Sequence, residues 1–192
     1  MRAVQPTRIH ITGSSGSGTT TLGRALARSM QHAHFDADDY YWLPPEPVGR
    51  RAFEEKRRAE LRNAALLEDL RPLDGYVVSG SIASWYPHDL VRRLFDRIVC
   101  LWNPTEIRLA RLRAREKHVY GAAIEPGGAM HEPHRRFLEW AARYDTAGMD
   151  QRSRMSHEAW LARVGGPQLR LEDDLSVEAR VERVRSWLGE PV

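Results

Sequence analysis

A glycine-rich segment between an apolar stretch and a helical pattern constrains this chain more than any other feature. The segment runs from Gly13 to Thr20, after the β-branched stretch 8–12 and at the start of residues 19–30, whose apolar positions recur with helical spacing. It matches the pattern G-x-x-x-x-G-K-[ST] at every specified position except the lysine, where Thr19 stands. A strand, a glycine loop and a helix in this order predict the first unit of an α/β fold.

The composition of this loop is suited to holding phosphate groups. Its glycines allow backbone N–H groups to turn toward phosphate oxygens, and the helix that follows points its positive dipole end at the same anion. Thr20 stands where the motif places a Mg²⁺-binding hydroxyl. A flexible turn without a ligand is the alternative, and the position between strand and helix argues against it. The predicted nucleotide-binding residues are Gly13, Ser14, Ser15, Gly16, Ser17, Gly18, Thr19, Thr20 and Thr21.

Four further strand-like segments alternate with helical patterns or polar connections along the chain. Strands that alternate with helices favour a parallel sheet covered on both faces. The predicted strands are residues 8–12, 32–35, 76–79, 97–102 and 168–171. The predicted helices are residues 19–30, 51–70, 88–95, 105–118, 134–143 and 177–188. Asn103 and Pro104 are predicted to be the N-cap and first position of the fourth helix.

Length and composition exclude several other classes of protein. A chain of 192 residues with 42% hydrophobic residues suits a single domain over residues 1–192. With 29% charged residues and no apolar run of about 18–20 residues, neither a disordered chain nor a membrane partner is expected. One cysteine and the lack of a secretory signal at the start predict a cytoplasmic protein. A net charge of +3 does not by itself indicate nucleic-acid binding.

Two carboxylates follow the second predicted strand. Asp36 and Asp38 come after residues 32–35, and ligands of open α/β sheets bind outside the carboxyl ends of the strands. One of these groups could hold a magnesium-bound water or accept a proton from an attacking hydroxyl. The alternative is a solvated acidic turn or a helix cap. We therefore predict Asp36 and Asp38 as candidate catalytic residues.

The missing lysine requires a cation from elsewhere if the loop supports phosphoryl transfer. In the motif, the ammonium group stabilises charge on the β- and γ-phosphates, and the neutral hydroxyl of Thr19 cannot do so. Spacings of three and four place Arg108, Arg111 and Arg115 on one face of the predicted helix 105–118. Arg111 and Arg115 are therefore candidate catalytic cations. The alternative is a solvated helix face whose arginines pair with nearby acids.

The order of these motifs resembles the adenylate-kinase-like group of P-loop kinases. That group includes adenylate, shikimate and gluconate kinases and relatives described as topology-modulation proteins. The resemblance implies a P-loop NTPase fold, with a five-stranded parallel sheet of order 2-3-1-4-5 flanked by helices and covered by a helical lid. It also implies an acceptor-binding segment at about 39–72, a lid at about 116–155, and ATP with Mg²⁺ as donor. Arg111 and Arg115 resemble the paired lid arginines of such kinases.

Two departures from that pattern leave more than one function open. Thr19 replaces the lysine, and the strand 76–79 leads into Gly80 and Ser81 without the aspartate of a standard Walker B motif. The first hypothesis is an ATP-dependent phosphotransferase that acts on a small-molecule or nucleotide acceptor held near the two aspartates. The second is a nucleotide-binding switch or slow NTPase. The third is a nucleic-acid-associated factor, for which the sequence supplies no recognisable binding motif.

Overall fold

Five parallel strands form one sheet at the centre of the protein. The computed structural model describes residues 7–44, 55–172 and 174–189. The order across the sheet is β2-β3-β1-β4-β5, and every neighbouring pair is parallel. The strands are β1 (Arg8–Gly13), β2 (Ala33–Asp36), β3 (Tyr76–Ser79), β4 (Arg97–Leu101) and β5 (Gln168–Leu171). The predicted sheet order is therefore confirmed.

Eight α-helices and two short 3₁₀ helices connect or cover these strands in the described residues. The α-helices are α1 (Thr19–Met30), α2 (Ala37–Tyr41), α3 (Ala59–Leu70), α4 (His88–Leu94), α5 (Thr105–Tyr120), α6 (His131–Ala142), α7 (Arg154–Val164) and α8 (Val177–Trp187). The 3₁₀ helices are Gly121–Ile124 and Arg143–Asp145. None of these helices is both long and apolar enough to cross a bilayer.

The sheet is buried on both faces, because successive side chains of a strand point to opposite sides. On one face, Ile9 and Ile11 of β1 pack with Leu26 of α1 and Val184 of α8. On the other face, Val78 of β3 packs in a second core with residues of α3, α4 and α7. The sheet is thus the middle of three layers. Because its strands are all parallel, their carboxyl ends lie at one edge.

That edge positions the candidate site. The phosphate-binding motif follows β1, the two aspartates lie at and just after the end of β2, and Asn103 follows β4. Asp36 pairs in register with Ser79, the last residue of β3. Residues that are far apart in sequence therefore meet at the carboxyl edge of the sheet, where α/β proteins bind their ligands.

The element boundaries agree with the sequence-based prediction in most of the chain. Strands 76–79 and 168–171 and helix 19–30 have the predicted bounds. The prediction of a helix over 51–70 was wrong in part, since α3 begins at Ala59, and residues 51–54 lie outside the described part of the chain. The helices α2 and α7 were not predicted. They are short and their apolar faces pack on other elements, so tertiary contacts decide their extent.

Candidate phosphate-binding and catalytic site

The glycine-rich segment forms a closed loop between β1 and α1. Gly16 and Gly18 have φ angles of 82° and 92°, in the left-handed region that favours glycine. The backbone N–H and the hydroxyl of Ser17 both donate to the carbonyl of Ser14, at 3.1 and 2.7 Å. Gly18 is the N-cap of α1 and supplies no side-chain cap, so the first N–H groups of this helix remain available to a ligand.

Three consecutive carbonyl groups of the loop each accept a hydrogen bond from an arginine. These carbonyl arginines are Arg108 on Ser15 at 3.4 Å, Arg111 on Gly16 at 3.5 Å and Arg180 on Ser17 at 2.9 Å. In a planar trans peptide the N–H group points opposite to the carbonyl group, and the described residues contain no cis peptide bond. The N–H groups of Gly16 and Gly18 therefore point away from the carbonyl arginines.

This arrangement fits a polyphosphate. Anions bind where several backbone N–H groups converge at a helix N-terminus, which is what the loop and the start of α1 provide. The hydroxyl of Ser14 is buried and has no hydrogen-bond partner within the described residues. It is one more donor that a phosphate oxygen can satisfy, and the loop itself carries no side-chain carboxylate to repel one.

Arg108 lies on the arginine face predicted for α5 but does not face solvent. Its side chain is fully buried and pairs with Asp145 at 3.0 Å. It also donates to Thr105 and to the carbonyls of Asn103 and Ala141. Since a third carbonyl partner is Ser15 of the phosphate loop, Arg108 connects that loop to the segment that follows α6. Its role in the structure is to join these elements, and the face is not a continuous basic surface.

Asn103 is a second connection point behind the loop. The prediction that Asn103 caps α5 was wrong: Pro104 is the N-cap, and the cap makes no side-chain hydrogen bond. The Asn103 side chain is buried instead, and its Oδ1 accepts from Arg180 at 3.1 Å and from Arg111 at 3.5 Å. Asn103 stands at a position typical of a helix cap, but its side chain accepts hydrogen bonds from two arginines instead.

The two predicted catalytic arginines occupy different places. Arg111 contacts the carbonyl of Gly16 and forms an ion pair with Asp174. The Arg115 side chain is more than half exposed, and it pairs with Glu116 at 2.9 Å. Arg115 nevertheless interacts electrostatically with Asp38, so it belongs to the outer part of the site.

The two predicted aspartates lie together. Asp36 is the N-cap of α2, and its Oδ1 accepts from the backbone N–H of Asp38 at 3.1 Å. Partial desolvation by the surrounding protein and the neighbouring charge of Asp36 raise the pKa of Asp38, while the positive charges of Arg152 and Arg115 oppose this rise. The predicted alternative of a helix cap therefore holds for Asp36. Asp38 itself is exposed, and its carboxylate interacts electrostatically with both cations.

Arg152 is a site residue that the sequence did not single out. It precedes α7, and its Nη2 donates to the hydroxyl of Ser15 at 2.9 Å. Its guanidinium lies 4.9 Å from the ring centre of Trp140, and its Nε is buried without a hydrogen-bond partner in the described chain. Burial lowers the pKa of Arg152, and the charge of Asp38 counteracts this. In the sequence it is one arginine among several in the predicted lid.

Two aromatic side chains pack together near the start of the predicted acceptor segment. The rings of Tyr41 and Trp85 stack with their centres 6.3 Å apart. The Arg62 guanidinium lies over both rings, 4.9 Å from the centre of Tyr41 and 4.6 Å from that of Trp85. Tyr41 also interacts electrostatically with Arg152. Tyr40, in contrast, turns to α3 and donates its hydroxyl to Asp69 at 2.5 Å.

Thr19 and Thr20 lie half-buried in the first turn of α1, and Thr21 is exposed. No group of three His, Cys, Asp or Glu side chains that could hold a metal occurs in residues 7–44, 55–172 and 174–189. Mg²⁺ needs no such group, since it is commonly held by one or two protein oxygens together with waters and substrate phosphates. The hydroxyl of Thr20 and the carboxylate of Asp36 are the groups that fit this ion.

A buried histidine connects the end of β3 with the predicted lid. The Nε2 of His157 lies 3.0 Å from the hydroxyl of Ser81, and its Nδ1 lies 2.8 Å from that of Tyr144. Burial and the charge of Arg152 lower the pKa of His157 to about 3. The ring is therefore neutral at physiological pH, and it packs as part of the core beneath the site.

A five-stranded parallel sheet of this order, with a glycine loop after its first strand and a helical segment over the loop, defines a P-loop domain of the kinase type. Residues 9–126 match a family model described as an AAA domain (AAA_18), and the chain belongs to this family. The fold is the one that the resemblance to the adenylate-kinase-like group implied.

Two relatives and one solved structure show what the chain is similar to. The chain is 44% identical over 181 residues to the uncharacterized protein YqaC of Bacillus subtilis, covering 94% of this chain and 97% of that protein. It is 27% identical over 154 residues to a cytidylate kinase of Desulfurococcus amylolyticus, covering 74% and 80%. The fold is similar to that of shikimate kinase from Bacteroides thetaiotaomicron, with a TM-score of 0.58, 20% identity, and 95% and 98% coverage.

Proposed function

We propose that this protein is an ATP-dependent phosphotransferase that moves the γ-phosphoryl group of Mg-ATP to a small-molecule or nucleotide acceptor. The observation that carries the proposal is the position of Asp38, a carboxylate that interacts with Arg152, itself bound to the phosphate loop. A donor site and a proton acceptor are thus adjacent. Because ATP is a cytoplasmic metabolite, we place this activity in the cytoplasm.

The proposed reaction assigns a role to each part of the site. The acceptor hydroxyl oxygen forms a bond to the γ-phosphorus as the bond from that phosphorus to the β,γ-bridging oxygen breaks. ADP leaves with the electron pair, and the hydroxyl proton passes to Asp38. A raised pKa makes this carboxylate a better proton acceptor. The loop amides of residues 13–20 hold the donor phosphates, Arg111 strengthens the loop from its carbonyl side, and Arg115 adjusts the charge around Asp38.

Mg²⁺ would neutralise charge on the phosphates when it is bound. The hydroxyl of Thr20 would hold it, and Asp36 would orient a water of its shell. Asp36 is suited to this because its carboxylate is already fixed by the backbone N–H of Asp38. The hydrogen bond between Asp36 and Asp38 thus joins the residue proposed to orient the metal-bound water to the proposed proton acceptor.

The acceptor is proposed to lie between Asp38 and the aromatic pair of Tyr41 and Trp85. Two carboxylates near the loop repel an anionic attacking group, which favours a hydroxyl as the group that is phosphorylated. Stacked aromatic rings and Arg62 provide a surface for a planar or anionic part of the same molecule. The similarity to a cytidylate kinase supports including nucleotides among the acceptors.

The test is the release of ADP from Mg-ATP in the presence of different acceptors. The panel contains nucleoside monophosphates, nucleosides, sugars and small hydroxy acids, and the control is Asp38→Asn. We expect one class of acceptor to stimulate ADP release in the wild-type protein and not in the variant. ADP release that no acceptor stimulates would overturn the proposal.

A nucleotide-binding switch or slow NTPase is the second candidate function. Thr19 favours it, because the motif position that normally carries a cation is neutral. This candidate predicts tight ATP binding together with slow ADP release that is independent of any acceptor. The same panel therefore separates the two candidates.

A further inference from the structure

The phosphate loop lacks the positive charge that the motif lysine would supply, since Thr19 stands at that position. Phosphoryl transfer develops charge on the transferred group and on the leaving group, and protein cations stabilise that charge. The side chain at position 19 is a hydroxyl in the first turn of α1 and supplies none. A cation that replaces the lysine must reach both the loop and the place where the acceptor is held.

The carbonyl arginines do not meet this requirement. Arg108 is fully buried against Asp145, and Arg111 is paired with Asp174. The guanidinium of Arg180 donates to Ser17 and to Asn103. Each of these groups is directed to a loop carbonyl, and the N–H groups of Gly16 and Gly18 point the opposite way. The carbonyl arginines can strengthen the loop, but they lie on the side away from the amides that bind phosphate.

Arg115 does not meet the requirement either. Its guanidinium is bound to Glu116 at 2.9 Å, and its side chain is 56% exposed to solvent. An exposed charge that is already paired contributes little to a distant group, because water screens it. It can adjust the charge around Asp38 without contacting the loop.

We propose that Arg152 takes the role of the missing lysine by binding the terminal phosphate of the donor. This inference rests on the proposed function. Arg152 contacts the loop through the hydroxyl of Ser15 and interacts with Asp38, so a group that passes from the loop to the acceptor passes its guanidinium. Its buried Nε has no partner in the part of the chain that the structure describes, and a phosphate oxygen would satisfy it.

Two neighbouring side chains fix the orientation of the Arg152 guanidinium. The Ser15 hydroxyl accepts from one terminal nitrogen, and the ring of Trp140 lies against the guanidinium plane at 4.9 Å. A planar guanidinium that is already fixed by two contacts loses little conformational entropy when it binds a phosphate. Arg152 precedes α7, whereas the lysine would belong to α1, so this cation reaches the loop through tertiary contacts and not from the loop's own helix.

The experiment measures ATP and ADP binding by calorimetry in the presence of Mg²⁺, with thermal unfolding of each variant. The variants are Arg152→Gln, Arg152→Lys, Thr19→Lys combined with Arg152→Gln, and the matched control Arg154→Gln. Arg154 is two residues away and lies over Trp102, at the edge of the same segment. These binding readouts need no acceptor, so they remain valid whichever acceptor is used.

We expect Arg152→Gln to weaken ATP binding about tenfold or more and ADP binding by less than about threefold, because the lost charge-assisted contact is to the terminal phosphate. The thermal midpoint should change by less than about 3 °C. Arg152→Lys should recover part of the affinity, and adding Thr19→Lys should recover most of it. Arg154→Gln should bind both nucleotides like the wild type.

Unchanged ATP affinity in Arg152→Gln would overturn this inference, as would an equal loss for ATP and ADP. A loss that Thr19→Lys does not recover in a stably folded double variant would also overturn it. If the wild type binds ATP but no acceptor stimulates ADP release, the proposed phosphotransfer fails while the binding role of Arg152 is still decided. If the wild type does not bind ATP, both fail.

Discussion

The phosphate loop is contacted by two kinds of arginine that differ in what they bind. The carbonyl arginines Arg108, Arg111 and Arg180 donate to consecutive backbone carbonyls of the loop. Arg152 donates to a side-chain hydroxyl and keeps a buried nitrogen without a partner among the described residues. Arginines that satisfy backbone carbonyls maintain the shape of a loop, whereas Arg152 binds a loop side chain and interacts with Asp38, so its guanidinium lies where a ligand can contact it. Sequence alone does not distinguish the two kinds.

The largest effect on stability is expected at Arg108. Replacing it by Met leaves Asp145 without its ion-pair partner and leaves the carbonyls of Asn103 and Ala141 without donors. Removing one partner of a buried ion pair costs about 3–5 kcal/mol. Chemical denaturation should show this loss, and Arg113→Met, on the exposed side of α5, should change the free energy of unfolding by less than about 0.5 kcal/mol. Equal stability of the two variants would show that Arg108 does not hold the loop to the segment that follows α6.

The largest effect on turnover is expected at Asp38. Asp38→Asn removes the proton acceptor without changing side-chain size, and loss of a general base lowers turnover by about 100-fold or more. ATP affinity should stay within about threefold of wild type, since the carboxylate faces the acceptor. Steady-state kinetics with the stimulating acceptor, together with calorimetry, measures both quantities. A selective loss of ATP affinity would place Asp38 on the donor side instead.

An intermediate effect is expected from the buried histidines as pH falls. Burial lowers the pKa of His10 to about 4 and, with the charge of Arg152, that of His157 to about 3. An unfolded chain binds these protons near pH 6.5, so between pH 6.5 and 5 it takes up protons that the folded protein does not. Stability should therefore fall with decreasing pH, by up to about 1.4 kcal/mol per pH unit for each histidine.

The measurement is the free energy of unfolding in urea at a series of pH values. His157→Gln keeps an amide that can bond to Ser81 and Tyr144, and its pH dependence should be about half as steep. A profile that is flat between pH 6.5 and 5 would contradict burial of these two rings in their neutral form.

The smallest effects are expected at the arginines predicted from the sequence. Arg111→Ala removes a long contact of 3.5 Å to Gly16, and Arg115→Ala removes a charge near Asp38. We expect each to lower turnover by about three- to tenfold with little loss of stability, because exposed charges contribute modestly. The comparison with Arg152→Gln in the same assay is decisive. A larger loss for Arg111→Ala or Arg115→Ala would reverse the order of importance argued from the structure.

Local sequence signals predicted those parts of the site that lie within one element or one turn. The loop between β1 and α1 and the aspartates that follow β2 depend on glycine conformations and on strand ends, which neighbouring residues determine. The placement of Arg108 could not be predicted in this way. The spacing correctly put it on one face with Arg111, but only the packing of α6 and of the 3₁₀ helix Arg143–Asp145 makes that position buried.

The sequence by itself determined the fold class, the succession of the five strands along the chain, and the position of a phosphate loop without its lysine. Only the tertiary structure decided which of the arginines contact that loop and through which of its atoms. The physical reason is that strands, helices and turns depend on contacts between near neighbours in the chain. The environment of Arg152 depends instead on Ser15, 137 residues away, and on the buried surroundings that the folded chain provides.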